Sequence, residues 1–236
     1  MNPQPARTPE IWIDALPYAL PYLAFGVVLS LKGEGAHVGW ALAQVLAPAV
    51  LIAGFAFRGA YPELSGFRPR ISSGLADIAV GLGIAALWLV PFLAFDVLPR
   101  PGPEAAFDPG EAGMRGVNLA LRFAGFALVT PFMEELFVRS FLIRFLDVFD
   151  GEADFREIPI GRFAWRSFIG TVLWFTVTHQ TWEWLVALPT GIVLNLWLYR
   201  RRHLGSVVLA HATANAAIFT YVLTRASTNP DLWIFL

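Results

Sequence analysis

At the centre of the chain stands PFMEELFVR, residues 131–139, which sets Glu134, Glu135 and Arg139 inside an otherwise apolar run from Val117 to Phe149. The pattern of this run predicts one long apolar helix. A charged side chain near the middle of a bilayer costs about 2.5–3.5 kcal/mol on insertion scales. Charges in such a position are normally paired or turned toward a cavity, and they mark functional sites. These three groups therefore need partners from other parts of the chain.

The composition is that of a membrane protein. Hydrophobic residues make up 56% of the 236 residues and charged residues 15%, against about 25% charged in a soluble domain, and the mean hydropathy is +0.57. A formal net charge of -1 gives no indication of nucleic-acid binding. The absence of cysteine excludes disulfides, thiolate metal sites and a cysteine nucleophile. We expect residues 1–236 to form a single integral membrane domain.

The apolar segments predict an all-α, polytopic transmembrane helix bundle. About 20 apolar residues are needed to cross a bilayer, and the sequence supplies about seven such segments, or seven to eight membrane helices. They are residues 11–31, 38–57, 74–98, 117–149, 163–182, 184–199 and 205–224. The tail 232–236 is apolar but too short to cross. The first segment lacks a basic stretch followed by a small-residue cleavage site, so we expect it to be a retained helix.

Basic residues predict the orientation in the membrane, because Lys and Arg are retained in the cytoplasm. With seven spans, eleven Lys and Arg residues lie on the side of the N-terminus and four on the opposite side. The sequence therefore predicts a cytoplasmic N-terminus and a C-terminus outside.

Helical geometry separates the charges of residues 131–139. Glu135 and Arg139 are four residues apart, about 40° around the helix axis, so they can pair on one face. Glu134 lies about 140° from Arg139, which leaves it as the freer carboxylate and the better candidate base. Pro131 cannot donate to the carbonyl of Ala127, so a kink is expected there. A structural ion pair or an ion pathway would explain the same charges.

Two further polar pairs lie on later spans. Phe175 and His179 are four residues apart on the fifth span, and His211 and Asn215 repeat this spacing on the seventh. A lone histidine in an apolar helix is more often a hydrogen-bond partner between helices than a catalytic group. Both histidines, however, are expected within about four residues, or ~6 Å, of the depth of Glu134. Three helices can therefore meet at one site.

Taken in order, these three motifs resemble those of a known family. Glu134-Glu135-x-x-x-Arg139, Phe175-x-x-x-His179 and His211-x-x-x-Asn215 look like the motifs of the CAAX prenyl protease type II family, the CPBP or Abi intramembrane proteases. The resemblance covers residues 117–224, whereas the first three spans match only in being hydrophobic. More narrowly, the chain resembles the CAAX-protease-related proteins that accompany bacterial exosortase systems. One departure is Ser140, where many relatives have glycine.

The resemblance implies an intramembrane endopeptidase that acts on a membrane-associated protein or peptide, in a bacterial inner membrane. Burial raises the pKa of a carboxyl group toward the range of a useful base, and Glu134 would activate the water with help from His179. His211 and Asn215 would donate to the oxyanion of the intermediate. Arg139 would hold Glu135 or steady the substrate, and Phe175 would support the site.

Three alternatives remain open at this stage. Glu134, His179 and His211 could hold zinc, although their spacing does not resemble H-E-x-x-H, and the mechanism without a metal or other cofactor is favoured. A transporter or proton pathway could use the same groups, but the chain lacks the paired inverted repeats that transporters often have. A non-catalytic membrane chaperone or immunity factor has no direct support, because every motif position is filled.

Other polar residues are interpreted more simply. Asp77, near a span end, is expected to reach water. Trp197 is expected to be an interfacial anchor. Glu183 follows His179 by one helical turn but is expected at headgroup level. Arg122 has no assigned role.

Overall fold

The protein is described by a computed structural model that covers residues 11–31, 38–65, 71–95, 97–102, 106–150 and 153–236. Every regular element of these residues is helical, so the predicted all-α class is confirmed. Four of the basic residues that predict the orientation lie outside the described residues: Arg7, Lys32, Arg68 and Arg70.

The helices are α1 (Ile11–Leu31), α2 (Val38–Phe57), α3 (Ile71–Ala94), α4 (from Ala112 to Val148), α5 (Trp165–Val177), α6 (Trp184–Arg201) and α7 (Leu204–Arg225). Short 3-10 helices lie at Pro62–Leu64, Phe155–Glu157, Thr181–Glu183 and Pro230–Phe235. The third predicted span, residues 74–98, is observed three to four residues earlier in the chain.

Four of the helices in the described part are long and apolar enough to cross a membrane: Ile13–Leu31 within α1, α2, α3 and α7. The chain is therefore an integral membrane protein. The larger number of seven spans stays a prediction, because α5 has only 13 residues and α4 carries several charged side chains.

Helix α4 is continuous but changes its hydrogen-bond register twice. It consists of α-helical Ala112–Phe123, π-helical Ala124–Val129, α-helical Thr130–Glu134, π-helical Glu135–Leu142 and α-helical Ile143–Val148. In the first π segment the Thr130 N–H donates to the carbonyl of Gly125, five residues back. In this register Pro131 stands opposite the carbonyl of Phe126, which accepts from Asn215. The expectation for the carbonyl of Ala127 stays a prediction. Single π turns are frequent at functional sites.

Helix α5 ends at Val177, earlier than the predicted span, which reached Trp182. His179 therefore lies in the turn after the helix, not within it. The cause is local competition for the backbone, because the His179 side chain takes the carbonyl of Phe175 at 2.6 Å. Gln180 and Glu183 then form a reciprocal cap that starts the next turn.

The apolar C-terminal tail folds back onto the bundle. Leu232, Phe235 and Leu236 are buried, and the Phe235 ring lies 5.7 Å from that of Phe92 on α3 and 5.9 Å from that of Trp182. The tail therefore closes the end of the bundle at which α3 and α7 finish.

Two buried ion clusters fix the helices to one another. Asp77 on α3 is fully buried and pairs with Arg201 at the end of α6, with Arg201 Nε 3.0 Å from Oδ1, while Trp197 Nε1 donates to the same oxygen at 3.0 Å. The expectation that Asp77 reaches water is therefore wrong, whereas the interpretation of Trp197 as an interfacial anchor stays a prediction. The long Arg201 side chain reaches the carboxylate, which supplies the partner that burial requires.

The second cluster surrounds Glu63 between α2 and α3. Its carboxylate accepts from Ser140, from Arg144 at 3.4 Å and from Tyr18 of α1 at 3.3 Å. Ser140 and Arg144 lie on α4, one and five residues after Arg139. Ser140, which departs from the family pattern, thus gives α4 a hydrogen bond to Glu63 in the connection between α2 and α3.

Helices α3 and α7 approach most closely at Gly81. A Cβ atom at this position would overlap the carbonyl oxygen of Ala210 and lie 2.6 Å from Cβ of Thr213. Gly81→Ala is therefore expected to lower the free energy of unfolding by about 1–3 kcal/mol through overpacking. Denaturant unfolding in detergent, followed by circular dichroism, measures this loss.

Gly83 is the matched control, because it lies on the same helix and has open space around its Cβ position. Gly83→Ala should be neutral, or stabilising by up to about 1 kcal/mol from helix propensity. Equal stabilities of the two variants would contradict the close α3–α7 contact.

Candidate active site

Glu135 lies at the centre of the site. Its Oε1 atom accepts a hydrogen bond from Arg139 Nη1 at 3.1 Å and lies 2.7 Å from Nδ1 of His211 on α7. Glu135 and Arg139 are both fully buried. The pair that the spacing predicted is present, but no sequence pattern indicated that Glu135 also contacts His211. One buried carboxylate therefore connects the motifs of α4 and α7.

Glu134 points to the other side of the same histidine. Its Oε2 atom lies 4.0 Å from Nε2 of His211, and its side chain is 17% exposed. Because a carboxylate only accepts, His211 donates from Nδ1 to Glu135. The Nε2 atom of His211 thus faces Glu134, and it can donate a hydrogen bond only when the ring is an imidazolium.

His179 has its hydrogen-bonding role fixed by the backbone. Nδ1 lies 2.6 Å from the carbonyl oxygen of Phe175, and a carbonyl only accepts, so Nδ1 carries the proton. Nε2 of the neutral ring is then free of a proton and can act as a base. The carbonyl of His179 accepts from Trp184 Nε1 at 3.1 Å, which holds the turn in place.

Phe175 connects the side chains of the site. Its buried ring lies 4.5 Å from the His179 ring, 6.1 Å from the His211 ring and 4.5 Å from Cζ of Arg139. Gly191 of α6 leaves the room for this ring, since a Cβ there would lie 3.3 Å from Phe175 Cδ1. The structure thus brings both histidines and Arg139 around one aromatic ring.

Asn215 binds α7 to the first π segment of α4. Its Nδ2 atom donates to the carbonyl of Phe126 at 2.7 Å, which is the carbonyl opposite Pro131. The amide carries a second N–H, and the residue is 9% exposed. Asn215 can therefore hold α4 with one hydrogen and offer the other to a ligand.

Asn195 on α6 is a site residue that the motifs did not indicate. Its Oδ1 accepts from Arg139 Nε at 3.3 Å, and its Nδ2 donates to Oγ1 of Thr171 at 2.8 Å. Asn195 and Thr171 are both fully buried. The sequence feature that indicates Asn195 is its single amide within an apolar span, because such an amide normally forms a hydrogen bond between helices.

Removal of the Asn195 amide is expected to destabilise the protein. Asn195→Leu keeps the volume but leaves Arg139 Nε without an acceptor, so the free energy of unfolding should fall by about 1–3 kcal/mol. Denaturant unfolding in detergent measures the change.

Thr190→Val on the same helix is the control, because the Thr190 hydroxyl is buried without a partner in the described part of the chain. Its removal should be neutral or stabilising. A loss of stability as large as that of Asn195→Leu would contradict the role given to Asn195.

Glu183 lies nearer to the site than the sequence indicated. Its Oε2 accepts from the backbone N–H of Gln180 at 2.9 Å, and it lies within electrostatic range of His179, Glu134 and Arg122. Four charged or titratable groups therefore share this end of the site.

The residues do not fit the zinc site that was considered as an alternative. Among the described residues, no three His, Asp or Glu side chains are grouped closely enough to hold a metal ion. No catalytic step is therefore derived through a metal.

The fold and the site together define an integral membrane protein with carboxylate, imidazole and amide groups meeting between α4, α6, α7 and the turn after α5. Residues 116–217 match the family model described as Type II CAAX prenyl endopeptidase Rce1-like. The match covers less than half of the chain, includes every site residue named above from Glu134 to Asn215, and bears out the resemblance at the level of the family. No curated protein and no solved structure matches the chain.

Proposed function

We propose that the protein is an intramembrane endopeptidase that hydrolyses a peptide bond of a membrane-associated protein by means of a glutamate-activated water. The observation that carries this proposal is the position of His211, between the buried Glu135 at 2.7 Å and the partly exposed Glu134 at 4.0 Å. Glu134 has no cation bound within hydrogen-bond distance in the described residues, so it is available to accept a proton from water.

In the first step Glu134 takes a proton from water while the water oxygen attacks the substrate carbonyl carbon. The unprotonated Nε2 of His179 accepts the second hydrogen bond of this water and orients it. General-base assistance of this kind contributes about 10²–10⁴-fold to a rate. A tetrahedral intermediate results, with a negative charge on the former carbonyl oxygen.

That oxyanion accepts hydrogen bonds from the second N–H of Asn215 and from Nε2 of His211, which is an imidazolium throughout the reaction and neither gains nor loses a proton. Glu135 stabilises this form of His211 through Nδ1, and Arg139 balances the charge of Glu135. The intermediate collapses when the carbon–nitrogen bond breaks and Glu134 returns its proton to the leaving amine. The products are a carboxylic acid and an amine, and the acid passes its proton to the amine to give a carboxylate and an ammonium group. The site regains its starting protonation.

The test uses the purified protein in liposomes. Membrane proteins extracted with detergent from the same organism are added as candidate substrates. In water labelled with heavy oxygen, each new C-terminal carboxylate should carry one labelled oxygen, detected by mass spectrometry of the peptides. Ion flux without any labelled terminus would instead support the transporter alternative. A metal analysis of the same preparation tests the metal-free mechanism.

The cellular setting is part of the same proposal. We place the protein in a bacterial inner membrane with a cytoplasmic N-terminus, from the excess of basic residues on that side. Its substrates would be surface proteins sorted by an exosortase system, as the narrower resemblance suggests. An exosortase gene beside the gene of this protein would support that assignment.

A further inference from the structure

Arg122 is a cation near the site that the proposed mechanism does not use. It lies in the last turn of the first α-helical segment of α4, four residues before Phe126. Its Cζ lies 5.5 Å from the ring centroid of Phe107 and 5.6 Å from that of Phe126. Two aromatic rings therefore contact the guanidinium and leave its hydrogen-bonding edge to other groups.

The guanidinium has no acceptor in the described part of the protein. Its Nε atom is buried and makes no hydrogen bond. Glu183 is the acid in electrostatic range of Arg122, but its Oε2 is bound to the N–H of Gln180. A buried donor without an acceptor is costly, and the Arg122 side chain as a whole is only half-buried. A ligand can therefore reach the guanidinium and supply the acceptor that Nε lacks.

The chemistry of the group defines that ligand. Guanidinium has five N–H donors in a planar fork and no acceptor, and it binds carboxylates through two parallel hydrogen bonds. We propose that Arg122 binds a carboxylate of the substrate or of the cleavage product. This inference rests on the proposed function, because it assigns the carboxylate to the molecule that is cleaved.

Phe126 connects Arg122 to the reacting bond. Its ring contacts the guanidinium, and its carbonyl accepts from Asn215. A carboxylate held by Arg122 would thus lie beside the amide that binds the oxyanion. Arg122 is then a specificity-determining residue that favours substrates with an acidic group close to the cleaved bond, either a C-terminal carboxylate or an Asp or Glu side chain.

Binding measurements test this without any cleavage. Two of the three probes carry a carboxylate: N-dodecanoylglycine has it at the C-terminus, and N-dodecanoylaspartate α-amide has it on the side chain. The third probe, N-dodecanoylglycinamide, is neutral. Titration in a non-ionic detergent is followed by tryptophan fluorescence. The wild type should bind one or both carboxylates at least about tenfold more tightly than the neutral amide. The tighter of the two identifies the source of the carboxylate.

Arg122→Gln should remove this preference, whereas Arg115→Gln should keep it. Arg115 is the matched control because it lies on the same helix, and its Cζ lies 5.8 Å from the Trp233 ring. Arg122→Gln should unfold at the same temperature as the wild type or higher, since it removes the buried Nε donor that has no acceptor. A wild type that binds all three probes equally, or an Arg122→Gln variant that keeps the preference or unfolds earlier, would overturn the inference.

The two proposals fail separately. If carboxylates bind through Arg122 but no labelled peptide termini form, the proposed function is wrong and the anion site stands. If termini form and Arg122→Gln has the same carboxylate preference as the wild type, only the Arg122 site is wrong.

Discussion

Glu134→Gln is expected to reduce peptide cleavage by about 10²–10⁴-fold, because it removes the general base and keeps the size of the side chain. Membrane insertion and stability should stay unchanged, since Glu134 makes no hydrogen bond within the described structure that would be lost. The rate of formation of labelled peptide termini measures the effect, with unfolding in detergent as the measure of stability.

The matched control for this variant is Glu157→Gln, which removes the same charge from an exposed position in the connection between α4 and α5. Its cleavage rate should equal that of the wild type. An undiminished rate in Glu134→Gln would exclude Glu134 as the base and would favour the ion-pathway interpretation of the same charges.

Glu135→Leu is expected to have the second large effect, on stability as well as on activity. It leaves the fully buried Arg139 without its counter-charge, and breaking a buried pair from one side costs about 3–5 kcal/mol. His211 also loses the acceptor of its Nδ1 proton, so cleavage should be lost as well. Denaturant unfolding and cleavage assays of the same preparation measure both losses.

A double variant separates the two roles of Glu135. With Glu135→Leu and Arg139→Leu together, both charges are removed, and replacing a buried pair by apolar residues is often neutral for stability. Most of the lost stability should return, apart from about 1–3 kcal/mol for the Asn195 oxygen that Arg139 satisfied. Cleavage should stay absent. Recovery of cleavage would mean that Glu135 only braces Arg139 and does not orient His211.

The helical class and the contact between Glu135 and Arg139 could be predicted from the sequence. The bounds of α1 and α2 agree with the apolar segments, because runs of about 20 apolar residues are determined by the membrane itself. The pairing of Glu135 with Arg139 follows from helical periodicity, which acts over four residues. The roles of Glu134, His179, His211 and Asn215 stay predictions that the variants above test.

The partners of the later motifs could not be predicted in this way. His211 meets Glu135 across 76 positions, and Asn215 meets Phe126 across 89. Such contacts depend on how helices pack, and in α4 they also depend on a π register that places the carbonyl of Phe126 opposite Pro131. Asn195 and Arg122 carried no local pattern, so their environment became visible only in the packed bundle.

Residues 131–139 show most clearly what the sequence determines by itself and what depends on the tertiary structure. Local periodicity determined that Glu135 pairs with Arg139 and that Glu134 points elsewhere, because both statements depend only on angles around one helix. Only the tertiary structure decided that His211 lies between the two carboxylates. Burial is the physical reason, since a fully buried carboxylate needs hydrogen-bond donors, and the donor from outside its own helix comes from the helix that packs against it.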